Sequence, residues 1–204
     1  MANIEGLIPF LIYFETGVKD ENADCPTLFA RAKAKGIVND PADRGGATLV
    51  GVTIGTYREY RKKYGNADGL QLKLQVPCQD STTVDVADLR NLDYSQWLEI
   101  LKRMFWDPWH ADEINSQAVA EMLVDWVWTS GKYGITLPQK LLGVKPDGIV
   151  GPKTLAAVNA REPLSLFADL KKARIDYIES ICLKRPSNLK FRSGWLHRIN
   201  SIPG

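Results

Sequence analysis

Apolar residues recur at three- and four-residue intervals through residues 3–14, which is the spacing of one buried face of an α-helix. The positions that form this stripe are Ile4, Leu7, Ile8, Leu11 and Ile12. Asn3 can cap the start of the helix, and Gly17 can end it in a left-handed conformation. The pattern therefore predicts a first helix whose end carries one acidic residue, Glu15.

The rest of the chain is predicted to be mainly helical, with one small β element. Helical periodicity and helix-start signals mark residues 25–35, 56–64, 94–105, 116–129, 137–142, 154–159, 164–184 and 194–199. Residues 39–55 differ, because turn residues and two adjacent glycines are followed by residues that favour a strand, which indicates a small hairpin. Residues 65–93 are weakly periodic and are predicted to be a loop with a short helix.

Composition narrows the class of protein. With 204 residues, 45% of them hydrophobic, the chain can bury one sizeable core or two small ones. Its 26 basic and 24 acidic residues leave a net charge of +2, which is too balanced for a protein that holds nucleic acid by electrostatics. The first apolar run is too short to span a bilayer and lacks the flanks of a secretory leader. We therefore expect no stable membrane insertion, and synthesis in the cytoplasm without a standard signal peptide.

The residues that bind metals are few. Three cysteines without CxxC spacing and two histidines do not form a zinc pattern, so neither a metal nor an organic cofactor is predicted. Basic residues cluster at 58–63 and at 184–192. These clusters are either solvated helix faces or surfaces attracted to an anionic polymer such as the cell wall.

Glu15 has the sequence surroundings of an acid catalyst for glycosidic bonds. Cleavage of such a bond needs a protonated carboxyl group beside the leaving oxygen, and a carboxyl buried among apolar residues keeps its proton. Glu15 follows an apolar run and precedes Thr16 and Gly17, so it can lie between a core and a cleft. Taken alone, a glutamate near a helix end is usually solvent-exposed, although the helix dipole disfavours an acid there.

The segment from Asp40 to Thr53 reads Asp-Pro-Ala-Asp-Arg-Gly-Gly-Ala-Thr-Leu-Val-Gly-Val-Thr. Its aspartates can cap turns, its glycines permit unusual backbone angles and its threonines favour strand, so turn chemistry alone can account for it. A helix that ends in glutamate and is followed by such a β element is, however, the layout of lysozyme-type clefts. There the helix supplies the acid, and the opposite wall supplies a second acid or a hydroxyl.

The chain resembles glycoside hydrolase family 108, the lysozyme-like muramidases of bacteria and their phages, some of them labelled secretion activator proteins. Glu15-Thr-Gly resembles the family's E-G-G motif, with Thr16 in place of glycine, and the segment from Asp40 resembles D-P-A-D-x-G-G-A-T-x-x-G-I-T. Phe105-Trp-Asp resembles a further family segment. Asp147-Gly-Ile-Val-Gly-Pro-Lys-Thr resembles a motif of the accompanying peptidoglycan-binding region. The resemblance covers roughly residues 5–185.

The resemblance implies roles for matching positions. Glu15 would be the catalytic acid and Asp43 the second carboxylate. Thr48 or Thr53 would supply a hydroxyl near the reacting sugar. Asp40 competes with Asp43, and it would either contact the substrate or cap the turn that follows it.

Aromatic residues are the other resource of a sugar site, because their faces stack on pyranose rings. The predicted substrate-binding rings are Tyr57, Trp106, Trp109 and Trp126. Tryptophan at helical spacing is also typical of a core, so both interpretations stay open for each ring.

The fold class implied is mainly α (α+β), a lysozyme-like fold with a small β hairpin beside the active-site cleft. Residues 1–115 are predicted to form the catalytic region and residues 116–204 a helical peptidoglycan-binding-like region packed on it. The implied reaction is hydrolysis of the β-1,4 bond between N-acetylmuramic acid and N-acetylglucosamine. The alternative is a non-catalytic peptidoglycan-binding or secretion-assisting protein.

The partner implied is the glycan strand of peptidoglycan, with no nucleic acid partner. We expect a monomer that acts on the cell wall, in the periplasm, after release or export.

Overall fold

The computed structural model describes residues 1–39, 46–65 and 85–204, and over these ranges the chain is mainly helical. The helices are α1 Ile4–Thr16, α2 Cys25–Ala34, α3 Ile54–Tyr64, α4 Val86–Asn91, α5 Tyr94–Leu101, α6 Gln117–Ser130, α7 Tyr133–Leu141, α8 Pro152–Asn159, α9 Pro163–Lys184 and α10 Leu189–Asn200. The strands β1 Thr48–Leu49 and β2 Val52–Thr53 pair in an antiparallel sheet. The predicted mainly helical class with one small hairpin is confirmed.

The described residues form two compact units. One comprises Met1–Phe10 and Phe105–Gly204, and the other comprises Leu11–Met104. The chain passes from one unit to the other at two places, and each place lies beside an interruption of regular α-helix. One crossing lies just after Pro9, which has no backbone N–H to donate inside α1, and the other lies within a π-helical turn at Lys102–Trp106. The predicted division into residues 1–115 and 116–204 stays a prediction.

In the unit Leu11–Met104, α2 and α5 bury aromatic rings against each other. The Phe29 ring centroid lies 5.5 Å from that of Trp97 and 5.8 Å from that of Tyr94. The face predicted for the second helix is the buried one, with Leu28, Phe29 and Ala32 inside. Asp24 caps this helix, because its carboxylate accepts the backbone N–H of Thr27 at 2.9 Å.

The hairpin is closed by a two-residue turn in which Val50 (φ 45°) and Gly51 (φ 76°) both have positive φ. This is the geometry of a type I′ turn, whose twist matches the twist of antiparallel strands. Glycine adopts such angles freely, whereas a β-branched valine is strained there. Val50 is also buried, and its carbonyl accepts a hydrogen bond from the Trp97 indole N–H at 2.9 Å. Packing and this bond hold the strained residue in place.

In the other unit, α6 is the central helix. Every residue from Val119 to Val127 is buried, and the helix packs against α7 and α9. Asp125 is fully buried, and it accepts hydrogen bonds from Arg174 of α9 at 2.6 Å and from Arg198 of α10 at 2.7 Å. One carboxylate therefore joins three helices.

Two helices begin earlier than the sequence pattern predicts. The helix predicted at residues 137–142 begins at Tyr133, and the one predicted at residues 194–199 begins at Leu189. Gly134 reads as a helix breaker in sequence, but a Cβ there would lie 2.4 Å from the Val127 backbone nitrogen, so glycine permits close approach to α6. Gly194 lies inside α10 with open space around it, and the helix continues through it.

Candidate active site

Glu15 continues the buried face of α1. It lies four residues after Leu11 and three after Ile12, both of which are fully buried, and positions so spaced share one side of a helix. Glu15 itself is half-buried, in the last turn of the helix. The sequence therefore places a carboxyl at the edge of an apolar stripe, which is the position predicted for the acid.

The end of α1 is fixed by local hydrogen bonds. The Thr16 hydroxyl donates to the Ile12 carbonyl at 2.7 Å and accepts the Val18 N–H at 3.2 Å. Gly17 has a φ of 71° and stops the helix, as predicted. Lys35, just after α2, donates from Nζ to the Thr16 carbonyl at 2.7 Å. Lys35 therefore places a cation at the negative end of the helix dipole, on the carbonyl of the residue that follows Glu15.

Thr48 and Thr53 face each other across the hairpin. They are directly opposed in the strand register, so their side chains share one face of the sheet. The other opposed pair, Leu49 and Val52, is buried. The hairpin therefore has one apolar face turned to the core and one face that carries two half-buried hydroxyl groups.

The two hydroxyl groups differ in what they already bind. The Thr53 oxygen caps α3: it accepts the Thr56 N–H at 3.1 Å and shares a hydrogen bond with the Thr56 hydroxyl at 3.0 Å. The Thr48 hydroxyl donates to the Gly46 carbonyl at 3.1 Å. Because its hydrogen is used in that bond, the Thr48 oxygen keeps its lone pairs for an incoming donor such as water.

Asp40 and Asp43 lie outside the described residues, so their roles stay predictions. Val38 and Thr48, which flank that segment in the sequence, form an antiparallel bridge with N–H···O distances of 3.0 and 2.8 Å.

Tyr57 is a core residue of α3. Only 3% of its surface is exposed, and burial raises the pKa of its phenol, while the Arg61 guanidinium opposes that rise. A ring that stacks on sugar needs an exposed face. The structure therefore favours the packing interpretation of Tyr57 over the predicted substrate-binding role.

The predicted tryptophans are core residues as well. Trp106, Trp109 and Trp126 are fully buried, in the unit that contains Phe105–Gly204. Trp106 donates its indole N–H to Asp112 at 2.9 Å. The indole nitrogens of Trp109 and Trp126 have no hydrogen-bond partner in the described part of the chain. Stacking on a sugar would require these rings to become exposed, so the structure again favours core packing.

Sequence reasoning missed two residues that support the site. Lys35 binds the end of α1, and Trp97 binds the turn between β1 and β2. The signal for Lys35 is the group of basic residues towards the end of α2, Arg31, Lys33 and Lys35. Cations are favourable near the C-terminal ends of helices, because the helix dipole is negative there. No local sequence pattern predicts the bond between Trp97 and Val50, because the two residues lie 47 positions apart in the chain.

Residues 1–39, 46–65 and 85–204 contain no group of three or more His, Cys, Asp or Glu side chains placed to hold a metal ion. Among their helices, none combines the length and the apolar character that crossing a membrane requires.

The mainly helical architecture with one small antiparallel hairpin is a lysozyme-like fold. Residues 32–131 match the family model described as glycosyl hydrolase 108, and residues 133–200 match the model described as predicted peptidoglycan domain. The chain therefore carries a glycosyl hydrolase 108 region at residues 32–131, followed by a predicted peptidoglycan domain at residues 133–200.

A solved structure shares the fold. The structure of Brucella abortus SagA aligns with a TM-score of 0.65 at 24% sequence identity, over 86% of this chain and 91% of that chain. No curated protein matches the chain. The predicted fold class, mainly helical and lysozyme-like with a small hairpin, is confirmed.

Proposed function

We propose that the protein is a peptidoglycan hydrolase, an N-acetylmuramidase that cleaves the β-1,4 bond between N-acetylmuramic acid and N-acetylglucosamine. The observation that supports this most is the half-buried position of Glu15 on the apolar face of α1. Its compact unit also holds the hairpin with Thr48 and Thr53. The match of residues 32–131 to the glycosyl hydrolase 108 model supports this reaction class.

In the proposed reaction, Glu15 gives its proton to the glycosidic oxygen as the bond to the anomeric carbon breaks. A water molecule adds to that carbon and gives up one proton. Asp43 is proposed either to accept that proton or to form the bond to carbon first, as the second carboxylate does in the two mechanistic classes. Of the two threonines, Thr48 is better suited to hold the water, because the Thr53 oxygen already caps α3.

The predicted peptidoglycan domain is proposed to bind the same polymer. We propose that the chain works as a monomer on glycan strands at the cell wall, where its substrate lies, and has no nucleic acid partner.

The bond specificity is tested by product analysis. Purified protein is incubated with insoluble peptidoglycan, and the soluble products are reduced and identified by mass spectrometry. A muramidase leaves N-acetylmuramic acid at every new reducing end, and the reduced products then carry muramitol. New ends that carry reduced glucosamine would overturn the bond assignment, and free peptides without new sugar ends would overturn the glycosidase class.

A second candidate is a non-catalytic peptidoglycan-binding protein, which the match of residues 133–200 favours. The same incubation separates the two functions. Sedimentation of the protein with peptidoglycan, without release of any soluble product, would support the binding protein and contradict the hydrolase.

A further inference from the structure

Exposed apolar side chains gather where α9 turns into α10. The segment of residues 183–191, called the hairpin tip below, ends α9, passes through a short helical turn at Pro186–Asn188 and begins α10. Leu183 is 83% exposed, Leu189 57% and Phe191 49%. Large apolar residues grouped on a surface mark a site of interaction more often than scattered single ones do.

The hairpin tip is also basic. Lys184, Arg185 and Lys190 are exposed and form no ion pair with any described residue, and residues 180–204 contain neither aspartate nor glutamate. Lys190 Nζ lies 4.6 Å from the centroid of the Phe191 ring. The neighbouring Arg192 differs, because it forms bidentate hydrogen bonds with Glu179 of α9. Three cations without an ion pair to a described residue therefore lie in the same nine-residue segment as three exposed apolar side chains.

The apolar side chains of the hairpin tip project from two helices, α9 and α10, that are packed against each other. Ile178, Cys182 and Ile199 form a buried cluster between α9 and α10, and Asn188 closes the turn by donating to the Ile181 carbonyl at 3.1 Å. The Phe191 ring stacks on Trp195, one helical turn further, at 5.6 Å. Leu183, Leu189 and Phe191 are thus exposed although the helices that carry them are packed.

We propose that the hairpin tip binds the surface of a bilayer that contains anionic phospholipids. The cations would lie among the headgroups, and the leucines and Phe191 would enter the boundary with the acyl chains, as basic and apolar residues do in interfacial helices. The cations alone would suit any polyanion. The exposed leucines distinguish a lipid surface, because an anionic carbohydrate polymer offers them no apolar medium.

The same compact unit contains two matched control positions. Ile149 is 72% exposed and Leu164 is 70% exposed. Each has an acidic residue close by in sequence, Asp147 in one case and Glu162 in the other. The comparison between these positions and the hairpin tip therefore tests the combination of apolar and basic groups rather than exposure alone.

The experiment is co-sedimentation of the full chain with two kinds of vesicle, pure phosphatidylcholine and phosphatidylcholine mixed with phosphatidylglycerol. We expect binding to the mixed vesicles that weakens with salt, and little binding to the neutral ones. The variant L183S/L189S/F191S should lose the binding, whereas I149S/L164S should keep it. The variant K184Q/R185Q/K190Q should weaken it by on the order of a hundredfold, since each basic residue near an anionic membrane contributes a several-fold gain.

Three results would overturn the proposal: no binding to mixed vesicles, equal binding to both vesicles, or wild-type binding by the triple serine variant. Circular dichroism checks that each variant is folded, and the glutamine variant serves if the serine variant is not. Binding of every variant to insoluble peptidoglycan is measured in parallel. If the tip variants lose that binding and keep the vesicle binding, the surface serves the wall polymer and the lipid assignment is wrong. Vesicles contain no glycan, so this outcome is independent of the proposed hydrolase activity.

Discussion

The indole N–H of Trp97 donates to the carbonyl of Val50, in the turn between β1 and β2, with a distance of 2.9 Å. Both groups are buried, and Val50 has a backbone conformation that is costly for a β-branched residue. One hydrogen bond from α5 therefore holds the turn that places Thr48 opposite Thr53.

Substitution of Trp97 by phenylalanine should leave the Val50 carbonyl buried without its donor. We expect the free energy of unfolding to fall by about 1–3 kcal/mol more than the loss of ring volume explains. Trp109→Phe is the matched control, because that indole nitrogen is buried and has no partner among the described residues. Urea denaturation of both variants measures the difference. Equal losses would show that the Trp97 bond does not stabilise the hairpin.

Asp125 should stabilise the unit built around α6 at neutral pH. Burial alone would raise the pKa of its carboxyl, but the guanidinium groups of Arg174 and Arg198 outweigh burial and hold the pKa below its usual range. We expect Asp125→Asn to lower the free energy of unfolding by about 3–5 kcal/mol, because two buried cations lose their counter-charge.

The pH dependence follows from the same shift. A depressed pKa contributes stability above the unfolded-state value of about 3.9, and that contribution is lost as the pH falls through the folded-state pKa. The gap in the free energy of unfolding between wild type and Asp125→Asn, measured by urea denaturation, should therefore narrow below about pH 4. Substitution of the exposed Asp176 by asparagine should change that free energy little at any pH. A gap that stays constant into the acid range would contradict the assignment.

Glu121, one helical turn before Asp125, should behave in the opposite way. Burial is the main cause that raises the pKa of its carboxyl, a hydrogen bond from Gln117 opposes the rise, and the charge of Asp125 adds to it. A raised pKa means that the ionised form destabilises the fold once the pH exceeds the unfolded-state value of about 4.3. Relative to wild type, Glu121→Gln should gain stability between pH 4 and pH 7 in thermal melts. A relative loss over that range would be the contrary result.

Thr48 and Thr53 should separate catalysis from folding. Under the proposed mechanism, Thr48→Val should lower the rate of glycan hydrolysis by on the order of a hundredfold, because the water loses its acceptor, with little change in thermal stability. Thr53→Val removes the cap of α3 and should lower the free energy of unfolding by about 1 kcal/mol. Rates on peptidoglycan and melting curves are measured for both. If Thr48→Val hydrolyses at the wild-type rate, that hydroxyl does not hold the water.

The helix that carries Glu15 could be predicted because its signals are local. Three- and four-residue spacing defined its buried face, and Asn3 and Gly17 marked its two ends. The start of α7 could not be predicted in the same way. The property that matters at Gly134 is contact with another helix, which its neighbours in sequence do not reveal.

Long-range contacts set a similar limit for the aromatic and charged residues. Whether Trp106 or Trp126 faces a core or a cleft depends on what packs over the ring, and the periodicity of one helix does not contain that information. Asp125 lies 49 residues from Arg174 and 73 from Arg198, so no sequence pattern joins them. The half-buried setting of Glu15 could be predicted from sequence because the apolar stripe and the carboxyl that follows it lie within a single helix.

The most direct measurement is the rate of reducing-end release from purified peptidoglycan by the wild type, Glu15→Gln and Glu21→Gln. Glu21 is the matched carboxylate, exposed and in the same compact unit. We expect Glu15→Gln to lower the rate by a factor on the order of 10³ while the protein still sediments with peptidoglycan, and Glu21→Gln to keep the wild-type rate. Release by Glu15→Gln at the wild-type rate would contradict the role of Glu15 as the catalytic acid.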